Sequence, residues 1–328
     1  MNAYSRKTVL ITGASGLIGN NIVDAFMSMG DVRVIALSRN LKKMEAEFAE
    51  YKDSPNFSIL AQDISFPLKV KEPIDYIFHA AGSMESAVIR SAPVDVIKPN
   101  IIGAMNCLEF LRSQREETGK SGRLILFSSV TVYGNNTDEE LTVTEEDTKY
   151  TEALDSVGAP YSQSKRMIEV ITTAYARQYD VDAVIGRFAT VYGPTRMAPD
   201  TAFFEFIKKG IAGEDITMNT SGLPRRDNIY MDDAIRAIML VGACGRTGEA
   251  YNISSNGDLG NYAAVDEIAQ LVAKVSGKGI AVRFKEEAAT KRKPGLKLDN
   301  GKLKQLGWSA TVDLESGIRR TIQIMRDR

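Results

Sequence analysis

"ITGASGLIGN" occupies residues 11–20, and how it is read decides the fold. It overlaps the end of the β-branched run "TVLIT" (8–12) and opens a helical pattern at 17–29. At this spacing Gly13 permits a sharp turn, Gly16 lets backbone come close to a ligand, and Gly19 lets the helix pack tightly on the strand. Strand, glycine turn and helix together form the context in which such glycines bind a pyrophosphate, whose charge is favoured at a helix N-terminus. Without a ligand the same residues would make only a tight connection.

Outward from this turn the chain alternates two periodicities. Further short apolar runs stand at "VRVIAL" (32–37), "FSIL" (57–60), "DYIFHA" (75–80), "RLILFS" (123–128), "VDAVIGRF" (181–188) and "EAYNIS" (249–254). Helical patterns cover 41–51, 94–117 and 161–179. Near-continuous apolar strands separated by helices imply a parallel sheet covered on both faces, with right-handed crossovers. After residue 188 the pattern loosens: Gly, Pro and short mixed segments dominate 189–228. A helix is expected to start near Asp232 or Asp233, either of which can cap it, followed by helices at 262–276 and 314–326. The expected fold is α/β, a Rossmann-type doubly wound parallel sheet with a smaller, mixed α/β C-terminal substrate-binding region. Residues 1–188 and about 229–255 form the dinucleotide-binding part; about 189–228 and 256–328 form the substrate-binding part.

Bulk properties narrow the function classes. The 328 residues carry a net charge of −1, which gives no support for a nucleic-acid or membrane-surface partner. No apolar run approaches the roughly 20 residues needed to cross a bilayer, and the opening "KTVLITGASG" is too strand-like for a signal peptide. Cys107 and Cys244 fit no metal or redox spacing, so a reduced, cytoplasmic setting is expected. The only histidine is His79, which excludes histidine triads and multi-histidine metal sites. If a proton is moved, another residue moves it. The basic run "KRKPGLK" (291–297) reads as a solvated loop or a phosphate contact in an otherwise neutral chain.

The identity of the dinucleotide turns on the end of the second strand, where an acidic residue would bind ribose hydroxyls. Here Ser38 occupies that place and Arg39 follows it. A guanidinium suits a 2′-phosphate, so NADP is favoured over NAD. Arg39 stacked on adenine or simply solvated would suit either.

A second stretch, "APYSQSK" (159–165), places Tyr161 and Lys165 one helical turn apart on one face. With twelve tyrosines and twenty lysines in the chain, about one Tyr-x-x-x-Lys pair is expected by chance, so the pair needs independent support.

That support comes from a series of segments that, in order, resemble the extended short-chain dehydrogenase/reductase family, in particular its nucleotide-sugar epimerase/dehydratase branch. They are "TGASGLIG" (12–19), "QDI" (62–64), "HAAG" (79–82), "NIIGAMNCLE" (100–109), "FSSVTVYG" (127–134), "YSQSK" (161–165), "RFATVYGP" (187–194), "RRDNIYMDD" (225–233) and "KLKQLGW" (302–308). The resemblance implies a cofactor site of Gly13, Ser15, Gly16, Leu17, Ile18, Gly19, Ser38, Arg39, Asp63, Ile64, Ala80, Ala81, Gly82 and Asn100. Tyr161 would be the acid/base, Lys165 its partner at the nicotinamide ribose, and Ser129 the catalytic serine, although Ser128 stands beside it. Thr131, Thr190, Arg226 and Arg292 would contact the substrate, with Arg226, joined by Arg292, at its diphosphate.

The chemistry follows from charge. Free tyrosine has a pKa of about 10. A nearby ammonium favours the phenolate, as does an oxidised nicotinamide. Tyr161 would then remove a proton from a sugar hydroxyl as hydride leaves the same carbon. Family dehydratases resemble one another in an Asp-Glu pair after the catalytic hydroxyl residue; here Val130 and Thr131 stand there, and Val130 cannot protonate a leaving group. Decarboxylases of the branch usually have Glu at the position of Thr131. Epimerisation needs no acid beyond the triad and is the leading expectation. An NADPH-dependent reductase of a keto-sugar nucleotide or other carbonyl is the alternative, on Ser38, Arg39 and Thr131. A non-catalytic dinucleotide sensor is the third reading, and the intact Tyr161–Lys165 pair argues against it. The family often pairs the helices at 94–117 and 161–179 across a two-fold axis, so a homodimer is expected; Ile101, Met105, Leu108 and Leu111 suit that interface or the sheet beneath.

Overall fold

A computed structural model describes residues 2–82, 86–134, 140–147, 152–196, 198–218, 222, 224–285 and 295–327. The first half runs β1 (Thr8–Thr12), α1 (Leu17–Met27), β2 (Arg33–Ser38), α2 (Leu41–Glu47), β3 (Phe57–Ala61), β4 (Tyr76–His79), α3 (Ser86–Ser91), α4 (Pro93–Thr118) and β5 (Arg123–Ser129). A short β6 (Leu141–Val143) precedes α5 (Ala159–Tyr179) and β7 (Asp182–Phe188). Then follow β8 (Thr190–Tyr192), α6 (Ala202–Ala212), β9 (Ile216–Met218), β10 (Arg225–Tyr230), α7 (Met231–Cys244) and β11 (Ala250–Ile253). The chain closes with β12 (Tyr262–Ala264), α8 (Val265–Ser276), β13 (Val282–Phe284), β14 (Leu296–Leu298), α9 (Gly301–Gln305) and α10 (Leu314–Arg326).

Seven strands form one parallel sheet in the order β11-β7-β5-β4-β1-β2-β3. All seven runs read as strands in the sequence join it, each within a residue or two of its expected bounds. Successive residues of β1 go to opposite faces: Val9 and Ile11 pack with Phe26, Phe78 and Ile125, whereas Leu10 packs with Ile35, Ile77, Leu108 and Leu124. Each face therefore carries its own apolar layer, and helices cover both. Because β1 has β2 on one side and β4 on the other, the strand order reverses there, and ligands of open α/β sheets bind outside the strand ends at such a point. The glycine turn after β1 lies at this place. Gly13 has φ +67°, and a Cβ on it would come within 2.7 Å of the Ala81 Cα beyond β4.

A second core gathers Tyr192, Phe206, Ile207, Ile216, Ile268, Val272, Leu314, Ile318 and Ile322, from β8, β9, α6, α8 and α10. Three small sheets support it and its junction with the first: β12-β10-β8, β13-β9 and β14-β6. Within 189–228, where the sequence showed only loose segments, the apolar face of α6 packs into this core.

The start of α7 differs from expectation. Tyr230 is its N-cap residue, with Asp232 and Asp233 inside the first turn. Asp233 does not cap because its carboxylate is engaged elsewhere: it accepts from Thr311 N (2.8 Å), Thr311 Oγ1 (2.7 Å) and Val312 N (3.1 Å). It thereby fixes the chain leading into α10. The helix expected at 262–276 begins only at Val265, because Tyr262–Ala264 pair antiparallel with β10.

Candidate active site

The carboxyl ends of β1, β4 and β5 and the first turns of α1 and α5 frame the site. Gly16 is the N-cap of α1 and makes no side-chain cap bond, and the first turn holds no acidic residue. The leading amides of Leu17, Ile18 and Gly19 are therefore a bare helix N-terminus at the strand-order reversal, which fits a phosphate. Ser15 and Ser38 share a hydrogen bond of 2.8 Å between their hydroxyls, so the end of β2 is tied to the glycine turn. Arg39 is exposed and forms no ion pair among the described residues. Asp63 turns its carboxylate back to Ser65 N (2.9 Å), while the Ile64 carbonyl is anchored by Asn106 (2.7 Å) and its side chain is buried.

Beyond β4 the chain passes Ala80, Ala81 and Gly82. A Cβ on Gly82 would stand 2.5 Å from the Asn100 Oδ1 and 3.5 Å from Lys165 Nζ, so three expected cofactor residues converge. Asn100 is fully buried; its amide nitrogen donates to Ser164 Oγ (2.9 Å), and its Oδ1 has no hydrogen-bond partner among the described residues. An orphaned buried acceptor beside a lysine and a bare helix terminus fits a site shaped around a polar ligand.

His79 is fully buried, bonded through Nδ1 to Thr12 Oγ1 (2.8 Å). Burial, aided by Lys165, pushes its pKa down to about 3, so it stays neutral and moves no proton near neutrality.

α5 carries the acid–base pair. Pro160 stands in its first turn, where no amide is lost. Tyr161 and Lys165 are both buried, with the lysine nitrogen 5.7 Å from the centre of the tyrosine ring. Lys165 Nζ donates to the Phe127 carbonyl at 2.8 Å. Burial pushes the lysine down to about 8, opposed by the negative charge of Glu169. The tyrosine runs against expectation: burial pushes it up to about 12, and only its hydrogen bond with Ser129 works the other way. Desolvation of the phenol outweighs an ammonium directed at a carbonyl.

The two neighbouring serines separate cleanly. Ser128 Oγ donates to Glu169 at 2.5 Å, whereas Ser129 meets Tyr161 and also accepts from Thr131 N at 3.2 Å as the N-cap of a single turn, Val130–Tyr133. Thr131 Oγ1 is buried with no hydrogen-bond partner among the described residues. Tyr133 of "VYG" points away into a polar network, donating to Asn252 Oδ1 at 2.6 Å.

Thr190 opens β8, two residues past Phe188, the register partner of Ser129, and pairs in register with Asn228. Arg226 lies two residues before Asn228 on β10, exposed and without an ion-pair partner among the described residues. Its neighbour Asp227 is buried and bonded to Ser254 Oγ (2.6 Å) and Leu298 N (3.0 Å), which fixes the strand beneath Arg226. Arg292 and most of the basic run lie outside the described residues; Lys297 pairs with Glu140 at 3.1 Å. Among the described residues no cluster of His, Cys, Asp and Glu could hold a metal, and no helix is long and apolar enough to cross a membrane.

Sequence reasoning missed the buried Glu169–Arg187 pair behind Lys165 (2.8 Å). Its one sequence signal was an acidic residue four positions beyond the lysine, spacing that puts both on one helix face.

Comparison finds the chain similar to known proteins. Residues 9–254 match the model of the NAD dependent epimerase/dehydratase family. UDP-glucuronic acid decarboxylase 1 of Xenopus tropicalis is 28% identical over 335 residues, covering 99% of this chain and 74% of that protein. A trifunctional UDP-glucose 4,6-dehydratase/UDP-4-keto-6-deoxy-D-glucose 3,5-epimerase/UDP-4-keto-L-rhamnose-reductase of Arabidopsis thaliana is 27% identical over 332 residues. That alignment covers 97% of this chain but 47% of the plant protein, so the chain spans about half its length. Among solved structures, the fold is similar to UDP-glucose 4-epimerase from Thermotoga maritima with UDP-glucose (TM-score 0.79, 24% identity, 98% of this chain and 99% of that one). UDP-glucuronic acid 4-epimerase from Bacillus cereus, in complex with UDP-glucuronic acid and NAD, aligns with the same score, identity and coverage.

Proposed function

The chain belongs to the NAD dependent epimerase/dehydratase family, and from that premise we propose that it is a nucleotide-sugar epimerase working through a transient keto-sugar. The observation that carries this reading is the meeting of Tyr161, Ser129 and Lys165 at the end of β5, followed by Val130 and Thr131, which offer no carboxylic acid. A bound nicotinamide dinucleotide supplies the hydride acceptor and donor. The chain's own residues do the rest. The α1 N-terminus holds the pyrophosphate, Ser129 holds the sugar oxygen, and Tyr161 takes the hydroxyl proton and returns it. Lys165 holds the nicotinamide ribose and supplies positive charge, and Arg226, joined by Arg292, meets the substrate diphosphate.

The relatives are decarboxylases, dehydratases and epimerases built on one frame. Val130 and Thr131 turn the choice toward epimerisation, because dehydration and decarboxylation in the branch call on acids at those positions. Ser38 and Arg39 favour NADP over NAD, and that preference supports a second reading, an NADPH-dependent reductase of a keto-sugar nucleotide or other carbonyl.

We take residues 1–188 with about 229–255 as the dinucleotide-binding half and about 189–228 with 256–328 as the substrate half. The separate core of α6, α8 and α10 supports this division. A homodimer through α4 and α5 is part of the same proposal.

The test is incubation of the purified protein with UDP-, CDP-, GDP- and dTDP-sugars. Interconversion of epimers without net change in cofactor absorbance is expected. No stereochemical change and no cofactor reduction with any sugar would count decisively against the reading, and stoichiometric loss of NADPH with a ketone would select the reductase.

A further inference from the structure

Positions 161, 165 and 169 lie along one face of α5, four residues apart, and they meet three consecutive residues at the end of β5. Tyr161 hydrogen-bonds Ser129, Lys165 donates to the Phe127 carbonyl (2.8 Å), and Ser128 donates to Glu169 (2.5 Å). The first two contacts belong to the acid–base machinery proposed above. The third does not, although it is equally buried: Glu169 is 8% exposed.

Glu169 is held from a second direction. Arg187 on β7 is the register partner of Ser128. Its Nε donates to both carboxylate oxygens (3.0 and 3.2 Å) and its Nη2 to Oε2 (2.8 Å). Its Nη1 donates to the Tyr133 hydroxyl (3.0 Å) and the Glu145 carbonyl (2.8 Å), so the guanidinium is itself locked. A buried ion pair is weak evidence for stability, since desolvation offsets much of the attraction. Its placement one turn beyond Lys165 gives it another role. The lysine's ammonium is buried with a carbonyl as its hydrogen-bond acceptor, and burial disfavours its charge. Among the described residues, the titratable and charged groups facing it are Tyr161 and Glu169 on its own helix, His79 at the end of β4, held neutral, and Arg187 on β7 behind Glu169. Of these, Glu169 alone is an anion.

We propose that Glu169, locked by Arg187 and Ser128, is a positioning residue that keeps Lys165 charged and fixes the strand end carrying Ser129. The proposal rests on the reading of Tyr161 and Lys165 as the acid–base pair. It assigns Glu169 no contact with substrate or cofactor; its effect passes through the lysine and through β5.

The test is an NMR titration of protein labelled with 13C at the lysine Cε, the Lys165 signal being assigned with Lys165→Met. In Glu169→Gln, which keeps the shape and removes the charge, the Lys165 midpoint is expected to fall by about one pH unit or more. Turnover is expected to lose its alkaline limb at correspondingly lower pH. Ser128→Ala, which keeps both charges, is expected to leave the midpoint in place. Equal midpoints in wild type and Glu169→Gln would overturn the proposal, as would an equal fall in Ser128→Ala, which would assign the effect to packing. Should Glu169→Gln fail to fold, the wild type decides: Lys165 charged at pH 7 supports the proposal and a neutral Lys165 overturns it. The titration uses no substrate, so absent turnover on every nucleotide sugar counts against the epimerase reading, while the midpoint decides the role of Glu169.

Discussion

Lys165 is a buried ammonium that works against the stability of the fold. Its pKa in the folded chain is pushed down to about 8, from 10.5 in the unfolded chain, chiefly by burial. Below about pH 8 both states are protonated and the cost of burying the charge is present in full. Between about 8 and 10.5 the folded state sheds its proton first, and the cost fades as pH rises. Lys165→Met is therefore expected to gain least over wild type at high pH: the difference between their urea midpoints should move in favour of wild type between pH 7 and pH 10. A difference that stays constant across this range would show that the lysine is not buried in charged form. Tyr161 shows the same force acting on an acid, with burial holding the phenol neutral near pH 7. The sequence made the pair visible but not this balance. Spacing says that residues 161 and 165 share a helix face; it does not say that the lysine nitrogen is directed at Phe127 and that the phenol has lost its water. Ser128 and Ser129 were equally open for a similar reason, because the turn after β5 decides which hydroxyl meets Tyr161.

Among the elements, the sheet and its covering helices were the most legible part. Strands buried on both faces must be apolar at nearly every position, and β1, β5 and β7 announce themselves that way. α6 was missed because its neighbours in sequence are rich in Gly and Pro; its amphipathic face finds its partners far away, on α8 and α10. Asp233 was misread because a capping residue and a tether look alike in sequence. Its carboxylate is spent on Thr311 and Val312, and Trp308 Nε1 donates to its carbonyl at 3.1 Å. Asp233→Ala would leave those amides without their acceptor in a buried place. A loss of about 3 kcal/mol of stability is expected from urea unfolding, with the segment before α10 losing hydrogen-exchange protection first. A loss confined to a few tenths would mean that the tether carries little of the load.

At the scale of the whole molecule, two cores meet at β8 and β10, where Val191 and Ile229 pack in the first and Tyr192 and Tyr230 in the second. The outer faces of α4 and α5 expose Ile102, Met105, Met167 and Val170, at 41%, 38%, 48% and 59%. Four apolar side chains on two packed helices favour a partner surface; of the four residues that the sequence offered for that surface or for the sheet beneath, Met105 lies on the exposed face and Leu108 and Leu111 pack in the sheet-facing layer. Light scattering is expected to give twice the chain mass of 36.0 kDa, with Val170→Glu shifting the population to single chains; the single-chain mass for wild type would contradict the dimer.

The central claim is that the phenol at 161 serves as the base once positive charge arrives beside it. The most direct measurement is the tyrosinate absorbance of wild type minus that of Tyr161→Phe, titrated with and without oxidised dinucleotide. Alone, the protein is expected to give a midpoint near 12. With NAD(P)+ bound, the midpoint is expected to fall by about 2 pH units or more. An unchanged midpoint in the bound protein would contradict the account.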